Sequence, residues 1–132
     1  MELTQAKEDC LKAVYVLSQG ERLLRSVDLA RHLGVKKPTI CVTVKGLVEA
    51  GYVRMEPAPS FALSLTEKGE TTARLLVRRH RLLQSWLLWA GVDEQTAERE
   101  ACAMEHAVSP GSVEKLGKAM ERLAVRKKPC PG

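Results

Sequence analysis

"DLARHLGVKKPTICVTVKGLVEAGYV", residues 28–53, holds two short helical patterns separated by a break long enough only for a turn. Before the break a helix follows Ser26, with Val27, Leu29, Ala30 and Leu33 apolar and Gly34 as its stop. After Val35, Lys36 and Lys37 comes Pro38, whose fixed φ and missing N–H suit the first turn of a helix. The spacing predicts that helix over 38–50, burying Ile40, Val44, Leu47 and Val48 and closing at Gly51. Two short helices joined this tightly form a helix-turn-helix.

The flanks extend the pattern. Upstream, a helix is predicted over 4–18, with Thr4 as its N-cap, Gly20 as its stop, and Cys10, Ala13, Val14 and Leu17 inward. Downstream, "YVRMEPAPSFALSL" reads as strand, tip and strand, because 52–55 and 61–65 alternate while Pro57 and Pro59 cannot sit inside a ladder. Three helices followed by a two-stranded ribbon make a winged helix-turn-helix, assigned here to residues 1–70. Thr66 then caps a long helix over 67–90, ended by Gly91. Arg74, Arg78, Arg81 and Ser85 trace one polar stripe along it. Leu75, Leu76, Leu82, Leu83, Trp86, Leu87 and Trp89 leave an apolar surface too wide for a single neighbour, which predicts a homodimer.

Asp93 starts a fifth helix. Residues 109–125 supply a sixth, with Val113, Leu116, Met120 and Leu123 inward and Glu114 and Lys118 as an exposed pair. Residues 71–125 are thus expected to form a helical dimerisation domain, and 126–132 a disordered basic tail. The fold class is mainly α. No apolar run reaches the roughly 18 residues needed to span a bilayer. Met1 is followed by an acidic segment, so the expectation is a cytoplasmic protein without a membrane partner. The four cysteines show no CxxC or CxC pairing, which favours reduced thiols over a disulfide framework.

The net charge is +5. Residues 1–70 carry ten Lys and Arg against nine acids, and residues 71–132 eleven against seven, a balance that only weakly favours a nucleic-acid partner. The third helix says more. Major-groove reading needs a helix with a small or polar outward side and an apolar rear. Thr39, Val42, Thr43 and Gly46 face outward there, with Lys36 and Lys37 at the N-terminus and Lys45 on the flank. Threonine can donate to a phosphate or base edge, Pro38 or Val42 can touch a thymine methyl, and the lysines join the positive end of the macrodipole. In the ribbon only Arg54 can reach phosphate, since the tip Glu56-Pro57-Ala58-Pro59 is acidic. Double-stranded DNA with a palindromic site is the predicted partner of a dimer; the competing reading is a protein-interaction winged helix. Gly46 is anomalous, because a mid-helix glycine costs about 1 kcal/mol against alanine. A close approach to the backbone of DNA or of the second helix would account for it.

"REACAMEHAVS", residues 99–109, puts Cys102, Glu105 and His106 at i, i+3 and i+4. They run with Glu98 beside the apolar stripe Ala97, Ala101, Met104 and Val108, and the small Ala97, Ala101, Ala103 and Ala107 admit close neighbours. A carboxylate next to a core stripe is costly unless something positive meets it. His80 shares a face with Leu76, Leu83 and Leu87, and Asp9 lies beside the inner stripe of the first helix. By residue type alone two readings stand: a core thiol with a surface Glu–His pair, or donors converging on a divalent cation.

The order of elements resembles the diphtheria toxin repressor/manganese transport regulator family of metal-dependent repressors. The resemblance is carried by "KEDCLKAVYVL", by the 28–53 stretch, by "LSLTEKGE" and by "RRHRLLQSWLLWAGVDE…EACAMEHAVS", and it covers nearly the whole chain to Leu123. It implies a winged-helix domain followed by a helical dimerisation and metal-binding domain, in the short form without an SH3-like domain. Asp9 falls where manganese-type members place an aspartate ligand, and Cys102 where iron-type members place a cysteine. Glu105 and His106 match ligands of both branches, His80 matches a histidine ligand, and Glu98 stands at an ancillary-site histidine. Lys12 departs from a bridging carboxylate and Gln84 from an ancillary glutamate, which points to one good metal site and a weakened second one. Lys12 is expected to pair with Glu105 or Asp9.

One thiolate, one imidazole and two carboxylates suit Fe(II), Zn(II) or Co(II); the resemblance favours Fe(II) or Mn(II) as the physiological ion. It implies a repressor of metal-uptake genes in which the cation favours the operator-binding form. The alternative is a winged-helix regulator that senses oxidants through Cys10, Cys41 or Cys102. An enzyme using Cys102 and His106 lacks an orienting group and oxyanion donors, so neither catalysis nor a small organic substrate is expected.

Overall fold

The structure is a computed structural model that describes residues 3–20 and 22–126, the side chains of 124–126 excepted. The expected tail thus lies outside the described residues, apart from the backbone of Arg126. The chain divides into two compact units, residues 1–76 and 77–132.

In the first unit, α1 (Gln5–Leu17) starts where predicted, with the Thr4 hydroxyl accepting from the Lys7 N–H. The second helix, α2 (Ser26–Leu33), ends at Gly34 with φ 68°, a left-handed residue that glycine adopts without a Cβ clash. The third, α3 (Lys37–Glu49), has Pro38 in its first turn. Strands β1 (Val53–Met55) and β2 (Leu63–Leu65) pair antiparallel, Val53 opposite Leu65 and Met55 opposite Leu63. Both are shorter than the sequence predicts. Phe61 sits at φ 53°, outside the β region, so the second strand cannot begin before the chain has turned. A bridge from Leu24 to Leu63 adds a third piece of extended chain that the alternation had not revealed. The wing is tied back further by Arg25 Nε donating to the Ser60 carbonyl at 2.8 Å.

These elements share one aliphatic core. Cys10, Leu11 and Val14 of α1 meet Leu29 of α2, Ile40, Val44 and Leu47 of α3, and Val53 and Leu63 of the sheet. Burying each large aliphatic side chain contributes about 1.5–3 kcal/mol. One expected core residue is corrected: Val48 is exposed, because it lies at the solvent edge of its helix's apolar stripe, as does the apolar Val27 of α2.

Helix α4 (Glu67–Trp89) begins in the first unit, where Ala73 and Leu76 join this core, and ends in the second. Its start is held by Thr66, whose hydroxyl donates to the Gly51 carbonyl at 2.6 Å and accepts from the Gly69 N–H at 3.0 Å. In the second unit α5 (Glu94–Ala107) is capped by Asp93 accepting from the Thr96 N–H, and α6 (Pro110–Arg126) follows. Leu83, Ala101 and Val113 are its buried centre, flanked by Leu82, Leu87, Met104, Val108 and Leu116. Gly117 lets α6 approach α4, since a β-carbon there would stand 3.2 Å from a Leu82 methyl. Leu123, Ala103 and Ala107, expected to face neighbours, are exposed, as are Leu75 at 54% and Trp89 at 39%. No helix among the described residues is long and apolar enough to cross a membrane.

Candidate metal centre and nucleic-acid interface

The second unit gathers the donors that the motif predicts. Ala97 and Ala101 carry no bulk and are buried, so the next face of α5 is drawn inward with them. Glu105 follows as a buried carboxylate at 2% exposure, with Cys102 and His106 half-buried beside it. The Cys102 Sγ, one Glu105 oxygen and one His106 ring nitrogen lie within 4.8 Å of one another, close enough to share an ion. His106 Nε2 is 3.8 Å and His80 Nδ1 4.0 Å from Glu105 Oε1. His80 Nε2 bonds Glu98 Oε2 at 3.0 Å, and this outer carboxylate is well exposed. The core-thiol reading explains Cys102 alone; it does not explain a buried carboxylate between two imidazoles.

Asp9 belongs to the first unit, on α1, where its Oδ1 is 3.6 Å from Lys12 Nζ, one of the two pairings expected for that lysine. Of the thiols offered to an oxidant-sensing reading, Cys10 is fully buried. Burial and then the Asp9 charge push its pKa from 9.0 up to about 12, which removes it as a reactive thiolate. Cys41 is exposed.

On α3 the outward side is as predicted for most positions. Lys36, Lys37, Pro38, Thr39 and Lys45 are exposed, and Val42, at 74%, is the most exposed large apolar side chain described. Its rear, Ile40, Val44 and Leu47, is buried. The Thr43 hydroxyl donates to the Thr39 carbonyl at 3.1 Å, so its proton is engaged within the helix. Arg54 is exposed on β1. At Gly46 the expected approach to α2 is corrected: the nearest neighbour of a β-carbon built there is the Lys7 side chain of α1. The mid-helix glycine was the available signal for that missed residue.

The profile described as "Iron dependent repressor, N-terminal DNA binding domain" matches residues 2–59, and "Iron dependent repressor, metal binding and dimerisation domain" matches 66–131. The chain belongs to the iron-dependent repressor family. Its members are metal-dependent transcriptional regulators, and this repressor carries the DNA-binding domain followed by the metal-binding and dimerisation domain. It is 34% identical over 123 residues to an HTH-type transcriptional regulator of Methanocaldococcus jannaschii, covering 92% of this chain and 97% of that one. It is 37% identical over 94 residues to the transcriptional regulator MntR of Salmonella typhimurium, covering 71% of this chain and 57% of that one. A solved manganese-dependent transcriptional repressor in complex with manganese superposes with a TM-score of 0.78 at 28% identity, covering 87% of this chain and 52% of that one. The repressor thus spans little more than half the length of these last two relatives.

Proposed function

We propose that this iron-dependent repressor binds palindromic operator DNA as a homodimer in the cytoplasm when Fe(II) or Mn(II) is held by Cys102, Glu105 and His106. In this reading it controls transition-metal homeostasis and catalyses no reaction. The observation that carries the reading is the buried Glu105 carboxylate grouped with a thiol and an imidazole within 4.8 Å. Those donors fit a divalent cation: a carboxylate without solvent needs a positive partner, and the thiolate adds softness that suits Fe(II), Zn(II) or Co(II). The manganese in the similar solved repressor keeps Mn(II) beside Fe(II).

Asp9 supplies a fourth donor in this proposal, and His80, oriented by Glu98, flanks the group as a further ligand or support. A bound cation would supply positive charge suited to a thiolate and carboxylates. Lys12, already beside Asp9, competes for that carboxylate and lowers affinity for a cation there. On the DNA side, Lys36, Lys37, Lys45 and Arg54 meet phosphates, while Pro38, Thr39, Val42 and Thr43 meet base edges. Metal acts through its preference for the DNA-competent state and through nothing else.

Gel shifts with and without Mn(II) or Fe(II) test this directly, using the regulator's own promoter DNA, wild type and His106→Ala. Metal-dependent retardation by the wild type and its loss in His106→Ala are expected. Equal binding by both proteins in the absence of metal removes the sensing role.

A further inference from the structure

Along α3, Thr39, Val42, Thr43 and Gly46 recur on one side at three- and four-residue intervals. Their exposure is uneven. Thr39 and Val42 are exposed, whereas Thr43 and Gly46 are half-buried, so something covers the stripe towards its C-terminal end. At Gly46 the cover is identified. A β-carbon built there would lie 2.8 Å from Lys7 Cε and 3.1 Å from Lys7 Nζ. Helix α1 therefore lays the end of the Lys7 side chain across α3, and both helices belong to the same unit and core.

The glycine lowers helix propensity in the interior of the element that needs most rigidity. What it admits is not a hydrophobic side chain seeking burial but the charged end of a lysine that remains half-exposed. Lysine covers apolar surface with its stem and keeps its ammonium in water, so the head stands at the margin of the outward stripe. A cation at the margin of a DNA-reading helix has the backbone phosphate as its chemical counterpart.

We propose that Lys7 is a DNA-phosphate-binding residue, carried by α1 across the Gly46 gap to the C-terminal part of the reading stripe. This rests on the reading of α3 as the DNA-binding helix. Lys36 and Lys37 hold phosphate at the start of α3, and Lys7 holds it near the other end, so the helix is fixed at two points along its length. A phosphate contact carries no base information, and Lys7 strengthens binding to all sequences alike.

The test is fluorescence anisotropy of the full chain with Mn(II) on a mixed-sequence DNA duplex across a salt series. Lys7→Gln is expected to weaken binding several-fold and to make the slope of log affinity against log salt shallower by about 0.9, the loss of one phosphate contact. Lys7→Arg should restore the wild-type slope, and Lys118→Gln, exposed on α6, should leave it unchanged. Gly46→Ala displaces the flexible end of Lys7 while improving the helix, so its urea midpoint should hold or rise as its slope becomes shallower. A Lys7→Gln protein that binds with the wild-type slope overturns the proposal and leaves the α3 reading standing. A wild type whose binding ignores salt, or that fails to bind the duplex, brings down the α3 reading and this proposal with it.

Discussion

Glu105 and Cys10 show how burial acts on single side chains. The Glu105 carboxylate is removed from water in the second unit, and taking an ionised carboxylate out of water costs several kcal/mol. Two imidazoles at 4.0 and 3.8 Å and a nearby thiol give it a setting in which a cation is the natural counter-charge. Cys10 is the opposite case, a thiol inert because it is buried. Below pH 9 its folded and unfolded forms are both protonated, and the thiol adds no pH dependence to stability. As pH rises from 9.0 towards about 12 the unfolded thiol ionises first, so stability falls. The loss approaches about 1.4 kcal/mol per pH unit. Urea denaturation of wild type and Cys10→Ala through that window should show the steeper fall in the wild type; parallel curves would show that burial does not hold this thiol protonated. In the native protein at neutral pH, iodoacetamide should label Cys41 while Cys10 stays unmodified.

Elements are positioned by close approaches that the apolar pattern does not announce. The start of α4 is the clearest instance. A β-carbon at Gly69 would lie 1.9 Å from the Tyr52 carbonyl oxygen, and a backbone atom cannot swing aside as a lysine end can. Gly69→Ala should therefore destabilise the first unit by about 2 kcal/mol or more, read as a lowered urea midpoint. An unchanged midpoint would mean that α4 is not seated against the Tyr52 backbone in this way. The same helix is preceded by Thr66, bonded to both Gly51 and Gly69, and carries Lys68, whose ammonium stands 4.4 Å from the centre of the Tyr52 ring. Helix starts and stops were legible because Thr4, Gly34, Pro38, Gly51, Asp93 and Gly91 act through local geometry. Strand lengths in the wing were not, because the left-handed turn at Phe61 is imposed by the closure of the ribbon and not by its own side chain.

For the whole molecule, metal should appear as stability as well as DNA affinity, since a ligand that binds the folded state alone stabilises it. Saturation with Mn(II) at about one hundred times its Kd contributes about 2.7 kcal/mol. Calorimetry should show a raised Tm in the wild type and none in Glu105→Gln. Asp9→Asn should lose much of the shift too, although Asp9 lies in the other unit. Should Asp9→Asn respond to Mn(II) as the wild type does, the cation is held by the second unit alone. The exposed Leu75 and Trp89 are consistent with the family's dimerisation domain, and the wide apolar surface of α4 had already pointed to a second copy.

By itself the sequence determined the helix order, the winged helix-turn-helix and the grouping of Cys102, Glu105 and His106, because each depends on residues close in the chain and on fixed helical or strand periods. Tertiary structure alone decided that Glu98 serves His80 and that Gly46 makes room for Lys7. Those outcomes depend on where separate turns or helices come to lie after packing. A side chain's periodicity specifies the face it occupies, whereas its partner is set by which atoms the folded core brings opposite it.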